Sequence, residues 1–303
     1  MASPASSPRI PAGALAAPLG RAADFLALTR PRIVLAVALT APAGLLLGGA
    51  PHPAPGLLLG VLAGTVLLGG GSGALNAWWE RERDARMRRT CERPLPTGRL
   101  EPHEALVFGL VTSATGLAAL GLAGGGLAAV LGLATLVHYL GVYTLWLKPR
   151  SHWSTVAGGV AGAAAPLIAD AAADGAIGPW GLVLFAIVFT WQPPHVWAIA
   201  LYRRDEYAAA GFPMLPAVKG ARVARRHMLG WALVLVAVTL LPCLGGVAGP
   251  WYALAALAAG AFFVARIAAA ICACDPAADR RAFRASLVQL AVVFAALLAD
   301  LLI

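Results

Sequence analysis

Residues 67–98 read LLGGGSGALNAWWERERDARMRRTCERPLPTG, an apolar segment that runs without pause into an arginine-rich loop. Asn76, Glu80 and Asp84 stand four residues apart at the junction. On a continuous helix, steps of four advance about 400° each, so the three side chains sweep one face along roughly 12 Å. Two carboxylates and an amide so arrayed can hold a hard divalent cation such as Mg²⁺, which completes its shell with water and substrate phosphate. Arginines follow or interleave at 81, 83, 86, 88, 89, 93 and 99. Acids and cations together at a membrane edge point to a substrate with a diphosphate head and an apolar tail.

The rest of the chain supports the membrane edge. Of its 303 residues 60% are hydrophobic and 12% charged, about half the charge of an ordinary soluble domain, and mean hydropathy is +0.77. Apolar runs near the roughly 20 residues needed to cross about 30 Å of hydrocarbon recur throughout. They predict nine spans near 33–50, 57–79, 104–121, 126–147, 153–170, 177–201, 228–247, 251–272 and 285–303. All Lys and Arg residues fall before the first span, in alternate connections, or beside those connections, whereas the 5–6 connection carries only Asp170 and Asp174. That asymmetry puts the basic connections and the N-terminus in the cytoplasm. The net charge of +9 is thereby accounted for by orientation and anion binding, with no nucleic-acid partner. Residues 1–23, rich in Ala, Pro and Ser, are expected to be a disordered cytoplasmic tail, and 24–303 a single transmembrane domain. Cys91, Cys243, Cys272 and Cys274 form no disulfide or zinc pattern. The Ala, Gly and Arg bias suggests a bacterial plasma membrane.

A second informative loop, WQPPHVWAIALYRRDEYAAAGFPMLPAVKG, occupies 191–220. Asp205 and Glu206 lie at the cytoplasmic end of span six, where they can face the first motif across a cavity. Pro193–Pro194 should kink that span and free backbone carbonyls. His195 is either a hydrogen-bonded structural histidine or a ligand for a metal-bearing substrate, since an imidazole inside a span faces a cavity or a partner more often than lipid. His138 is a weaker case of the same kind. Gly69, Gly70, Gly71 and Gly73 are expected to serve close helix packing, or else a bend that aims Asn76 inward.

The pattern Asn76-x3-Glu80-x3-Asp84, then Met87-x-Arg89-Thr90-x2-Arg93-Pro94-Leu95, resembles the first signature of the intramembrane (UbiA-type) prenyltransferase superfamily. LTRPRI at 28–33, YTLWLKPRSHWSTVAGGVAGAAAPLI at 143–168 and WQPPHVWAIALYRRDEYAAAGFPMLP at 191–216 are similar to its haem-farnesylating branch, and the likeness covers nearly everything after residue 24. Two features depart from the superfamily pattern. Glu80 stands where Asp is usual, and the second acidic motif is reduced to Tyr202-x2-Asp205-Glu206, as the haem branch generally has it.

The resemblance implies an all-helical bundle of nine transmembrane helices around a central cavity, and farnesyl transfer from farnesyl diphosphate to a vinyl group of haem b. It implies Mg²⁺ held by Asn76, Glu80, Asp84 and Asp205 or Glu206, with Arg89, Arg93 and Lys148 neutralising the diphosphate. His195 is then a candidate for holding haem, a substrate here, and Tyr202 for binding substrate. Haem A synthase or terminal-oxidase assembly factors are implied as partners. Prenylation of an aromatic quinone precursor is the alternative; it keeps the first motif but leaves the Trp191–His195 run unexplained.

Overall fold

The computed structural model describes residues 18–302, and among these there is no strand. Helices α1 (Pro18–Leu28), α2 (Pro31–Ala38) and α3 (Ala41–Leu47) precede the long α4 (Pro55–Asp84). α5 (Pro102–Val137) runs on into a π-helical stretch, His138–Leu147. α6 (Ser154–Asp174) and α7 (Pro179–Tyr202) follow, then the short α8 (Arg204–Ala209) and α9 (Leu215–Val218). α10 (Ala221–Thr239), α11 (Leu241–Leu244), α12 (Pro250–Ala273) and α13 (Pro276–Leu302) complete the chain. Proline opens α2, α4, α5, α7 and α12, where its missing N–H costs nothing and its fixed φ suits the first turn.

Among the described residues seven helices are long and apolar enough to cross a membrane, and the pair Gly20–Leu28 and Pro31–Leu47, bent by 51°, makes an eighth if taken as one broken span. The ninth is hidden inside the longest. Pro102–Leu147 has 46 residues, about 69 Å of helix and more than twice the hydrocarbon thickness. Gly125 breaks it with φ 80° and ψ 178°, a conformation only glycine adopts readily. A Cβ at Gly132 would lie 2.9 Å from Leu120 and 3.2 Å from Leu117. A straight helix would hold residues 120 and 132 about 18 Å apart, so the two halves fold back as a hairpin. The boundary falls between the spans expected at 104–121 and 126–147.

Small residues set the spacing between α4 and the first half of α5. Gly64 faces Leu120, Gly116 faces Leu68, Gly71 faces Ser113 and Gly109 faces Leu75, an antiparallel register along the whole contact. A Cβ on Gly71 would stand 2.6 Å from the Ser113 amide nitrogen and 2.8 Å from the Gly109 carbonyl oxygen, so alanine there would force the helices apart. Packing is thus what Gly71 provides, and α4 continues unbroken past it to Asp84.

α7 packs against α6, α10 and α13 around a core that includes Leu184, Ile187, Trp197, Tyr252 and Phe263. Leu39, Leu122 and Trp251 point outward, as lipid-facing side chains must. Helical geometry persists through Pro193 and Pro194, so the expected kink is not a break in the helix. The prolines instead deprive the Phe189 and Thr190 carbonyls of their helical amide donors. Residues 1–17 of the expected tail lie outside the described residues, and 18–23 already belong to α1.

The two ends of the bundle use charge differently. At one end Asp170 accepts from the Gly178 amide (2.7 Å) and Asp300 from the Gly249 amide (2.6 Å), so acids tie off helix starts. At the other end the arginine-rich loops gather, and the expected site residues lie there.

Candidate active site

Asn76, Glu80 and Asp84 do share one face of α4, and all three are buried, at 0%, 3% and 5% exposure. Burial of two carboxylates demands compensation, and each rung of this ladder has its own cation. Arg30 donates from Nη2 to Asn76 Oδ1 (2.6 Å), and Asn76 Nδ2 donates to Thr144 Oγ1 (3.1 Å). Arg93 Nη1 donates to Asp84 Oδ2 (2.8 Å). Lys148 Nζ lies 2.5 Å from Glu80 Oε1 and 2.6 Å from Oε2. Both oxygens of this buried carboxylate thus lean on one ammonium, with the better hydrogen-bond geometry at Oε2.

Local structure explains how the cations arrive. Arg30 sits at the bend between α1 and α2 with φ 52° and ψ 55°, a left-handed conformation costing on the order of 1–2 kcal/mol for a residue with a Cβ. That backbone turn aims its guanidinium at Asn76. Arg93 lies in the loop after α4, whose fold is pinned by Thr90 Oγ1 donating to the Asp84 carbonyl (2.7 Å). Burial, and next the Arg30 guanidinium, pull Arg93 below its ordinary pKa, against the opposing pull of Asp84. Two neighbouring guanidiniums with too few acids make a site that gains by taking up an anion. Lys148 ends the π-helical stretch, its ammonium 4.8 Å from the Phe212 ring and 5.5 Å from Tyr143, both within cation–π range.

The second loop meets this array only in part. Glu206 pairs with Arg203 (3.0 Å) and accepts weakly from the Arg89 amide (3.3 Å). Arg89 Nη2 donates to the Tyr207 hydroxyl (3.0 Å). Asp205 is exposed and has no hydrogen bond or ion pair among the described residues, so it does not join the α4 ladder. Tyr202 lies on the other side, its ring 5.6 Å from the Arg203 guanidinium, 5.5 Å from that of Arg280 and 6.1 Å from the Phe283 ring. His195 faces α13, with Nδ1 2.7 Å from Ser286 Oγ and its ring stacked on Trp191 at 4.1 Å. His138 Nε2 lies 2.7 Å from the Ala157 carbonyl, a satisfied interhelical contact.

Arg30, Phe212 and Ser286 were not singled out from the sequence as site residues, whereas Thr144 and Tyr207 were noted only as polar or flanking neighbours. A signal existed for Arg30 alone, as an arginine directly before proline at the start of a span. The others are ordinary residues until the bundle closes.

The fit to Mg²⁺ rests on donor chemistry. Among the described residues no three of His, Cys, Asp and Glu converge. The ladder offers two carboxylates and one amide oxygen, and Mg²⁺ ordinarily takes one or two carboxylates with phosphate and water completing the shell. Glu80 Oε1, which shares the Lys148 ammonium with Oε2, is an oxygen of the required kind. The residues therefore fit the ion, provided that Lys148 and Arg93 turn from the acids to the diphosphate.

The UbiA prenyltransferase family model matches residues 35–296. A protoheme IX farnesyltransferase of Methylobacterium radiotolerans is 41% identical over 300 residues, covering 97% of this chain and 94% of that protein. Protoheme IX farnesyltransferase 1 of Mesorhizobium japonicum is 44% identical over 284 residues, 92% of this chain and 90% of its own. In fold, the chain is similar to a UbiA homolog from Archaeoglobus fulgidus bound to GPP and Mg²⁺, with TM-score 0.62 and 18% identity over 90% of this chain and 99% of that one. It is also similar to a digeranylgeranylglyceryl phosphate synthase structure, with TM-score 0.76 and 17% identity over 93% and 99%. The extent of the family match and the identity to these relatives settle membership: this multi-pass membrane protein belongs to the UbiA prenyltransferase family.

Proposed function

We propose that the chain transfers farnesyl from farnesyl diphosphate to a vinyl group of haem b, with addition of water, giving haem O and diphosphate. The observation that carries this reading is the ladder of three buried oxygen donors, each opposed by a cation, at one end of α4. The kinship with protoheme IX farnesyltransferases over almost the full chain supports haem as the acceptor.

Asn76, Glu80 and Asp84 would hold Mg²⁺, which when bound supplies Lewis-acid neutralisation of the diphosphate oxygens. Arg93, Lys148, Arg30 and Arg89 bind the remaining charge, which grows as the C1–O bond breaks and its electron pair leaves with diphosphate. The stacked Tyr139 and Tyr143, 5.5 Å apart, offer aromatic faces to the allylic cation. The vinyl π electrons form the new bond to C1. Water closes the resulting cation beside the porphyrin and releases its proton to solvent or diphosphate. Arg203 and Arg280, whose guanidiniums lie near the Tyr202 ring, present positive charge suited to haem propionates. Asp205 contributes only if α8 turns it inward.

Residues 24–303 act as one prenyltransferase domain in a bacterial plasma membrane, with the N-terminus cytoplasmic; the one-sided distribution of Lys and Arg supports that orientation. The sequence resemblance supports delivery of haem O to haem A synthase or terminal-oxidase assembly factors.

The test is incubation of purified protein with haem b, farnesyl diphosphate and Mg²⁺, then mass analysis of extracted haems. A metal-dependent product heavier by one farnesyl and one water is expected. Absence of that product, with farnesylation of an aromatic acid offered in parallel, would overturn the reading.

A further inference from the structure

Ser286 carries one proton on its hydroxyl, and the structure shows where it goes. Ser286 Oγ lies 2.6 Å from the Phe283 carbonyl oxygen, which can only accept. The hydroxyl proton is thereby spent, so toward His195 Nδ1, at 2.7 Å, the same oxygen must act as acceptor. His195 therefore carries its proton on Nδ1 and, as a neutral imidazole, keeps the lone pair on Nε2. That nitrogen has no hydrogen-bond partner among the described residues. The side chain itself is only part-buried.

The ring cannot easily swing away. It lies on Trp191 at 4.1 Å and 22°, with Phe283 at 4.9 Å. Trp191 is itself tied down, its Nε1 donating to the Ser286 carbonyl at 2.7 Å. One residue of α13 thus fixes both the tautomer of His195 and the ring beneath it. Metal-bound histidines show this arrangement, the nitrogen away from the metal donating to a fixed acceptor.

A second observation lies one turn along α13. Gln289 is fully buried, and among the described residues neither its amide nitrogen nor its amide oxygen has a partner. An amide so enclosed is costly unless a polar group from outside the protein completes it.

We propose that the α7–α13 seam is the seat for haem, with His195 Nε2 as axial ligand to the haem iron and Ser286 as the positioning residue that keeps that nitrogen unprotonated. The proposal rests on the haem reading above and adds to it where the acceptor binds and which residue prepares its ligand. Iron held here presents the porphyrin edge on a different helix pair from the α4 ladder that takes the diphosphate.

The test is titration of the full-length protein in nanodiscs with ferric haem, followed by reduction, read by absorption and resonance Raman spectra. The wild type should show a histidine-ligated iron. His195→Gly should lose that signature and weaken haem binding roughly 10–100-fold, with added imidazole restoring the spectrum. Ser286→Ala should keep histidine ligation with a lowered iron–histidine stretching frequency and weaker binding, and Ser286→Thr should recover both. An unchanged spectrum in His195→Gly overturns the proposal, as does slowed farnesylation with unaltered iron ligation, which would make His195 a base toward water. Ser286→Ala identical to wild type in frequency and affinity overturns the positioning role. These failures leave haem farnesylation standing if the wild type still makes the product; a wild type that neither binds haem nor farnesylates it would sink the haem reading itself.

Discussion

Two sets of buried ion pairs occupy the charged end of this bundle, and they are built on opposite plans. Arg225 of α10 meets Asp279 of α13 through two parallel bonds, Nε to Oδ1 at 2.8 Å and Nη2 to Oδ2 at 2.7 Å, with side chains 6% and 2% exposed. Every carboxylate oxygen there is matched by a guanidinium N–H. The α4 ladder has no such match. Asp84 takes a single bond from Arg93, whose side chain is 32% exposed, and the two oxygens of Glu80 share the one ammonium of Lys148. Forked pairing fixes geometry and resists exchange, whereas a point-charge ammonium or a single-bonded guanidinium can turn to another anion. The first pair is a fastener between helices. The second set is poised to exchange partners when a diphosphate and its cation arrive.

Breaking the fastener should produce the largest effect. Asp279→Ala leaves Arg225 buried and unpaired, and should cost about 3–5 kcal/mol of stability, read as a lowered thermal unfolding midpoint in detergent or nanodiscs. Replacing both partners with apolar residues of similar volume should restore most of that loss. If the single and double variants unfold alike, the pair is not a fastener and the comparison collapses.

Asp84→Asn should do the reverse, leaving the midpoint nearly unchanged. It should lower kcat/KM for farnesyl transfer by about 10²–10³-fold, the scale on which one donor to developing charge acts. Equal losses of stability and rate would assign Asp84 to structure. Lys148→Met should raise KM for the diphosphate substrate and lower kcat/KM by roughly tenfold, equivalent to about 1.4 kcal/mol. Because the change also strands Glu80, Lys148→Met/Glu80→Gln separates substrate binding from the cost of an unpaired acid. Asp205→Asn should be the mildest, under about 0.5 kcal/mol in stability and less than threefold in rate. A loss comparable to Asp84→Asn would show that α8 rotates Asp205 into the site during turnover.

The parts of this molecule legible in the chain share one property: they depend on neighbours close in sequence. The Asn76–Glu80–Asp84 face follows from helical periodicity alone, and the spans follow from apolar length with the one-sided placement of Lys and Arg. Even the Gly125 break could be placed between two expected spans, because no apolar run of 46 residues fits one bilayer crossing. Asp205 shows where local reasoning stops. Adjacent to Glu206 in a helix of six residues, it was expected to face the metal. The rotation of α8 is instead set by burial of Tyr207, which turns Asp205 outward. Pro193–Pro194 is a related case: packing of α7 against α6, α10 and α13 keeps the helix unbroken where two donors are missing.

The sequence by itself determined a membrane-spanning helical chain, its nine crossings, the end at which cations collect, and the row of acids on α4, because each is a property of composition or short-range period. Only the tertiary structure decided which cation answers which acid, that Arg30 adopts a left-handed turn to reach Asn76, and that Ser286 fixes the tautomer of His195 from 91 residues away. Those are contacts between helices, and no local pattern specifies them. They arise when small residues let the helices close to packing distance and each buried polar atom takes whichever partner that closure brings within reach.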